Sequence, residues 1–145
     1  MLATILGLIA AATAPSSLAH EGGVCVGLSW VKLSSSENVS IQNGPDFDVF
    51  RFQGTDKNGE YWWAVYRGRF ASATAASTLL KKEGITVRRA VADGKFDGYL
   101  VEKDGEQNHF FGPIFKDTST DAKFFDRIDF GSNARSLCEK HPSGS

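Results

Sequence analysis

The sequence predicts an α+β fold, an antiparallel sheet of about six strands with helices packed on one face. Two observations lead to this prediction. Short runs of alternating apolar residues are separated by turn pairs such as Asn58-Gly59 and Asp93-Gly94, which is typical of antiparallel strands joined by hairpins. Two other segments, residues 73–83 and 118–131, place apolar residues at helical spacing. The predicted order is therefore βββαβββα, followed by a short terminal helix.

The first half of the chain is predicted to contain three strands. Residues 24–33 alternate apolar side chains at period two and form the first strand. Residues 34–45 are rich in Ser, Asn and Gly and are interpreted as a loop, which contains the glycosylation sequence Asn38-Val39-Ser40. Residues 46–53 and 60–70 then form a hairpin. Because residues 60–70 place large side chains on both faces, we predict that they form a central strand, covered on at least one side by a helix.

Residues 73–83 are predicted to form the first helix. Ser72 is a suitable N-cap residue, and Gly84 suits the left-handed position that ends many helices. Two lysines in the last turn would interact favourably with the negative end of the helix dipole. The apolar stripe of this helix consists of Ala75, Ala76, Leu79 and Leu80.

The second half repeats the predicted element order. Its strands, joined by two Asp-Gly turns, are residues 85–92, 96–103 and 106–115. Thr118 and Asp121 have the spacing of a capping box and open a second helix that ends at Gly131. A last short helix, capped by Ser132 or Asn133, carries Cys138 and stops at Pro142. The similar order of the two halves suggests the hypothesis of an internal duplication.

The first 19 residues have the composition of a secretory signal peptide. They contain no charged side chain, and their apolar run, Leu2 to Ala14, is shorter than the about 20 residues that span a bilayer. Small residues at Ser17 and Ala19 predict cleavage before His20, although no Lys or Arg precedes the apolar run. The alternative is a buried N-terminal helix. We predict a secreted or periplasmic protein with no stable membrane insertion after cleavage.

After cleavage, residues 20–141 are predicted to form a single α+β domain, followed by a mobile tail at residues 142–145. The composition, 41% hydrophobic and 12% aromatic, is that of a globular protein. The formal net charge of −1 gives no general attraction to nucleic acid, because phosphate binding needs clustered positive charge. We therefore expect no nucleic-acid partner.

Cys25 and Cys138 are the two cysteines of the chain. An exported protein meets oxidising conditions, and an even number of cysteines there favours a disulfide. Such a bond would join the first strand to the last helix and, in the chain-entropy description, stabilise the fold by up to about 4.7 kcal/mol. The alternatives are two free thiols or a catalytic thiol, but neither cysteine belongs to a CxxC pair or has a neighbouring histidine.

Arginines near aromatic residues provide the candidate binding site. Arg67 and Arg69 alternate at the end of the predicted central strand, and Arg51 lies on the strand paired with it. Together with Trp63, on the open face of the sheet, they would form the Arg/aromatic type of surface that dominates binding hot spots. The alternative is ordinary surface charge paired with Asp and Glu.

The patterns HExxH, CxxC, DxDxDG and GxSxG and the phosphate-binding loop pattern are all absent from the sequence. Two acid pairs, Asp46 with Asp48 and Asp126 with Asp129, have the residue types that a glycosidase uses. Solvated surface acids explain these pairs as well. We therefore predict no catalytic residue, no metal and no cofactor, and keep a small secreted hydrolase as an alternative function.

The stretch WAVYRGRFASATAASTLLKKEGITV, within residues 60–87, resembles half of a SPOR peptidoglycan-binding domain. Such domains have a strand with Gly-x-Phe, small polar residues, and a helix that ends in Lys-x-x-Gly. The matching positions are Val65, Gly68, Phe70, Ala76, Leu80 and Gly84. The resemblance implies a helix after the strand and a peptidoglycan ligand. The chain departs from the pattern in having three predicted strands, rather than one, after this helix.

The predicted architecture is also similar to that of small exported bacterial α+β envelope proteins, which include lysozyme inhibitors and toxin-immunity proteins. The leading hypothesis is therefore an exported, non-enzymatic binding module that recognises a protein, as an inhibitor or an immunity-type protein does. The alternatives are a SPOR-like module that binds peptidoglycan and a small secreted hydrolase. In the first two cases the partner is a protein or a cell-envelope glycan.

Overall fold

The computed structural model describes residues 19–20, 22–69, 73–116 and 122–143. Several predictions lie outside these residues. They concern the signal peptide up to residue 18, the N-cap Ser72, the capping box of Thr118 and Asp121, and the end of the tail, residues 144–145. Within the described segments, no helix is long and apolar enough to cross a membrane.

The described chain is mainly β, which corrects the predicted α+β fold class. The strands are β1 (Ala19–His20), β2 (Gly23–Val26), β3 (Ser29–Lys32), β4 (Asn38–Asn43), β5 (Phe47–Asp56), β6 (Gly59–Gly68), β7 (Thr74–Lys82), β8 (Ile85–Ala92), β9 (Lys95–Lys103), β10 (Glu106–Phe111) and β11 (Ile128–Asp129). The helices are a 3₁₀ helix, Ala122–Arg127, and one α-helix, α1, Ser132–Lys140.

The strands form two antiparallel sheets. The large sheet has seven strands in the order β4-β5-β6-β10-β9-β8-β7, and the small sheet has four in the order β1-β2-β3-β11. Predicted hairpins build most of the large sheet, since β5 pairs with β6, β8 with β9 and β9 with β10. The Asp93-Gly94 and Asp104-Gly105 turns are confirmed as two-residue turns, which fix the register of their hairpins. The β5–β6 hairpin turns at Lys57-Asn58 rather than at the predicted Asn58-Gly59, because Gly59 already pairs with Asp56 as the first residue of β6.

The predicted helix over residues 73–83 is wrong, because this segment forms the edge strand β7. Glu83 and Gly84 have positive φ angles of 49° and 77°, and they form the tight turn that returns the chain into β8. A glycine at this position suits a helix end and a hairpin turn equally. Pairing with β8 decides between them, and residues 74–78 remain exposed at the sheet edge.

Two other parts of the first half differ from prediction. The single strand expected at residues 24–33 is the hairpin β2–β3, which turns at Gly27 and Leu28. The loop expected at residues 34–45 contains strand β4, which pairs along its length with β5. Val39 and Ile41 of β4 lie opposite Phe52 and Phe50, so apolar contact across the pair organises a segment of otherwise polar composition.

The second predicted helix is also wrong, since residues 122–127 form a short 3₁₀ helix that continues into β11. The last helix, which carries Cys138, is confirmed as α1, but its N-cap is Gly131 rather than Ser132 or Asn133. Because residues 74–82 form a strand and residues 122–127 a 3₁₀ helix, the two halves do not have the same architecture. The hypothesis of an internal duplication therefore fails.

The main core lies between the two sheets. We call the face of the large sheet that points to the small sheet the inner face, and the opposite one the outer face. Val24, Val26 and Val31 of the small sheet pack in one cluster with buried residues of the inner face. These inner-face residues include Phe50, Phe52, Trp63, Val65, Tyr99, Val101 and Phe110. Phe124 and Phe125 of the 3₁₀ helix close this core with edge-to-face ring contacts.

The predicted disulfide between Cys25 and Cys138 is present, with the two Cα atoms 5.5 Å apart. Cys25 alternates with the core residues Val24 and Val26, so it points to the other side of the small sheet, where it holds α1. The molecule thus has three layers: α1, the small sheet and the large sheet. A disulfide fits a protein of an oxidising, non-cytoplasmic compartment.

Loss of this disulfide should destabilise the protein strongly, because the bond closes a loop with a sequence separation of 113 residues. We expect the double variant Cys25→Ala/Cys138→Ala to lose about 2–5 kcal/mol in free energy of unfolding, measured by chemical denaturation. The reduced wild type is the matched control and should show a similar loss. Alkylation of two cysteines in the unreduced native protein would contradict the assignment.

Candidate functional site

The structure separates the four predicted binding residues, Arg51, Trp63, Arg67 and Arg69. Trp63 has no exposed surface, because it lies on the inner face with its ring stacked on Phe52 at a centroid distance of 3.8 Å. Its neighbour Trp62 points to the outer face instead and is half-buried. The prediction that Trp63 is a surface contact is therefore wrong. Side chains of a strand alternate between faces, and Trp63 lies opposite Phe52, which also points to the core.

Trp63 belongs to a buried polar network centred on Glu37. The indole Nε1 of Trp63 donates a hydrogen bond to Glu37 Oε1 at 3.2 Å, and Tyr61 Oη donates to the same oxygen at 3.0 Å. The backbone N–H of Ser34 donates to Oε2 at 3.1 Å. Tyr61 reaches this position by passing close over Gly54, where a Cβ atom would lie 2.6 Å from the tyrosine oxygen.

Arg127 completes the network and neutralises Glu37. Its guanidinium donates to both carboxylate oxygens, at 3.1 Å from Nη1 to Oε1 and in a shorter contact from Nη2 to Oε2. The same group donates from Nε and Nη2 to the carbonyl oxygen of Lys32, at 3.0 and 2.8 Å. It also lies over the Trp63 ring at 5.1 Å. Arg127 therefore joins the 3₁₀ helix to both sheets.

Glu37 is a structural carboxylate. Its side chain has no exposed surface. Burial alone raises its pKa, but the hydrogen bonds from Arg127 and Ser34, together with the positive charge of Arg127, outweigh burial and hold the pKa below the ordinary value. Since five donor contacts occupy its two oxygens, Glu37 has the environment of a buried ion-pair partner rather than that of a general acid.

Arg67 and Arg69 lie at one end of the large sheet, where β6 ends. The Arg67 guanidinium is 3.5 Å from Asp48 and packs against Gly27 of the β2–β3 turn. Arg69 is exposed just beyond the strand. Both arginines line a groove of about 750 Å³ between the loop before β5 and the start of β10. Asp46 and Asp48 line the same groove, so one of the predicted acid pairs is located here.

Two further depressions adjoin this groove. One, of about 160 Å³, lies between the β2–β3 turn and the first turn of α1 and includes Leu28 and Arg135. The other, of about 510 Å³, lies beside the β7–β8 turn. Glu106, next to the β9–β10 turn, is a lining residue of the groove and of both depressions. We call this combined surface the loop end of the molecule.

The loop end combines charges of both signs with one exposed apolar side chain. Leu28 has 42% of its surface exposed. Leu28 shares its depression with the exposed side chains Asp104, Glu106 and Arg135, and Asp46 and Arg69 are exposed in the adjoining groove. Lys103 is held in place because its ammonium group donates to the carbonyl oxygen of Phe130. The surface is therefore suited to a partner with complementary charges and an apolar contact, not to a polyanion.

Arg51 does not reach the loop end. It lies on the outer face of β5, and its guanidinium packs over the Trp62 ring at 4.7 Å. The second predicted acid pair is also explained by local contacts. Asp126 pairs with Lys82 at 3.5 Å, and Asp129 accepts a hydrogen bond from the backbone of Gly131 at 2.7 Å. Among the residues that the structure describes, no group of three or more His, Cys, Asp and Glu side chains could hold a metal ion.

Comparisons with protein-family models, with curated proteins and with solved structures found no match for this chain. The helix that the SPOR resemblance implies after Gly-x-Phe is replaced by strand β7. The structural part of that resemblance is thus corrected, whereas a peptidoglycan ligand stays a prediction.

Removal of Arg127 should destabilise the fold, because it leaves the Glu37 carboxylate buried without a counter-charge. We expect Arg127→Met to lose about 3–5 kcal/mol in free energy of unfolding, with partial recovery in the double variant Arg127→Met/Glu37→Gln. The matched control is Arg135→Met, whose exposed pair with Glu139 should contribute at most about 1 kcal/mol. Equal losses in the two single variants would show that the buried pair has no special role.

The same carboxylate should make stability depend on acid pH. Because folding lowers the pKa of Glu37 below its ordinary value of 4.5, the folded state binds this proton less readily than the unfolded chain. The contribution of Glu37 is therefore present above pH 4.5 and is lost as the pH falls through the folded-state pKa. We expect a shallower acid dependence of the unfolding free energy in Glu37→Gln than in the wild type. Parallel curves would contradict this.

Proposed function

We propose that this chain is an exported, non-enzymatic binding module that recognises a protein partner through the loop end. The observation that supports this proposal most directly is the convergence of three depressions on the β9–β10 turn. Two of the residues singled out from the sequence, Arg67 and Arg69, line the largest of them. Arginine is enriched at protein interfaces and among their hot-spot residues.

The loop end is supported by a rigid scaffold. Its turns connect strands of two sheets that share one core, and the β7–β8 and β9–β10 turns are only two residues long. The ion pair of Arg67 with Asp48 and the bond of Lys103 to Phe130 fix two of the charges. A preorganised surface loses little conformational entropy when it binds.

Export of the protein is the second part of the proposal. The Cys25–Cys138 disulfide supports an oxidising compartment, and the predicted signal peptide supplies the route. A secreted or periplasmic location would expose the loop end to envelope or extracellular proteins, such as a hydrolase or a toxin. The module would then act as an inhibitor or an immunity-type protein.

The proposal predicts that contact with the partner centres on Leu28 and Arg69. The purified chain, with its disulfide intact and a photo-crosslinking residue at position 28, should crosslink to one envelope protein that mass spectrometry can identify. The same crosslinker at Lys57, an exposed turn residue at the opposite end of the sheet, should not. Affinity for the identified protein should fall about tenfold or more in Arg69→Glu and stay unchanged in Lys57→Glu.

The same experiment tests the peptidoglycan alternative by measuring retention of the chain on purified sacculi. Retention of the chain on sacculi, with no protein crosslinked at position 28, would overturn the protein-partner proposal and favour the peptidoglycan alternative. Equal crosslinking from positions 28 and 57 would also contradict the assignment to the loop end.

A further inference from the structure

We propose that the outer face of the large sheet carries a binding subsite for a neutral saccharide, built around Trp62. This subsite lies where β5 ends and β6 begins, at the opposite end of the sheet from the loop end. It uses none of the loop-end residues, so it goes beyond the proposed function and is independent of it.

The first observation is a cross-strand row of side chains with complementary chemistry. Asn38 of β4 lies opposite Gln53 of β5, and Gln53 lies opposite Trp62 of β6. All three point to the outer face, because their neighbours Val39 and Phe52 are buried in the core. Directly opposed residues have Cβ atoms about 4.5–5.5 Å apart. Two exposed amides and one indole therefore stand side by side in a straight line.

The second observation is that the Trp62 ring is held in place before any ligand binds. The Arg51 guanidinium lies over the ring at 4.7 Å, and Phe111 contacts it edge to face at a centroid distance of 6.1 Å and an interplanar angle of 85°. The indole remains only half-buried. A fixed and accessible aromatic ring supplies contact area at a low entropic cost.

The third observation is the concave shape beside this row. Trp62, Gln53 and Asn38 line a depression of about 450 Å³. This volume lies within the range of about 300–1,000 Å³ that is usual for small-molecule sites. Ser36 strengthens the wall of the depression, because its hydroxyl donates to the carbonyl oxygen of Thr55 at 2.8 Å and accepts from the Thr55 N–H at 3.2 Å.

The chemistry of the lining favours a neutral ligand rich in hydroxyl groups. Each amide of Asn38 and Gln53 offers donors beside an acceptor, which matches a pair of neighbouring hydroxyls. The part of the Trp62 indole that lines the depression offers an apolar surface for the C–H face of a pyranose ring. Arg51 keeps its positive charge on the Trp62 ring but does not line the depression, whereas the exposed carboxylate of Glu60 does. Because this lining holds a carboxylate and no cationic side chain, a neutral sugar fits it better than a phosphate group.

The test is a titration of the full chain with cellotriose, with tri-N-acetylchitotriose and with AMP, followed through the indole N–H resonances in NMR spectra. We expect saturable shifts of the Trp62 resonance with at least one trisaccharide and none with AMP. Binding of both sugars would indicate that the subsite recognises hydroxyl groups. Binding of the chitotriose alone would indicate that the amides recognise its acetamido groups. Absence of binding by both sugars, or binding of AMP alone, would overturn the proposal.

Variants locate the subsite. Gln53→Ala and Trp62→Leu should each weaken binding of the bound trisaccharide about tenfold. Gln53 is exposed, so its variant keeps the test valid even if Trp62→Leu fails to fold. Lys57→Ala is the matched control on the adjoining turn and should bind like the wild type, and Arg69→Glu should also bind normally. An equal loss in Lys57→Ala and Gln53→Ala would contradict the location.

Discussion

The buried ion pair between Glu37 and Arg127 is the contact on which the relative placement of the elements depends. It joins the loop before β4, the 3₁₀ helix and the inner face of β6, and its guanidinium also binds the backbone of β3. Removing a charge of this kind from water is costly, so the pair stabilises the fold only while both partners and the donors from Tyr61 and Trp63 are in place. Together with the disulfide, which fixes α1 to the small sheet, it holds the layers in one arrangement.

This arrangement leaves two kinds of surface on one scaffold. The loop end collects turns from both sheets, with Leu28 and Arg69 exposed among charges of both signs. The outer face of β4, β5 and β6 presents amides and an indole in a regular row, because the strand register aligns them. The first surface combines arginines and acids with one exposed apolar side chain, and the second combines two amides with an indole. Both depend on the rigidity of the core between the sheets.

Local signals of the sequence were ambiguous wherever one residue type serves two structures. Gly84 ends a helix as readily as it forms a hairpin turn, and the Ala-Ser-Thr composition before it does not distinguish a helix from an edge strand. Pairing with β8 resolves this ambiguity, and the same pairing removes the helix that the SPOR resemblance implied. Trp62 and Trp63 illustrate a second ambiguity of the sequence. The sequence identifies both as strand residues, but only the position of the second sheet decides which of them is buried.

The sequence by itself determined the β5–β6, β8–β9 and β9–β10 hairpins, the last helix and the pairing of the two cysteines, because each depends on local chemistry or on the presence of a single possible partner. Tertiary structure decided the mainly β class, the burial of Trp63, and the separation of Arg51 from Arg67 and Arg69. It also brought together Glu37 and Arg127, which are 90 residues apart and have no local signal that links them. The physical reason is that burial and long-range pairing depend on which sheet covers which face, and no short stretch of sequence contains that information.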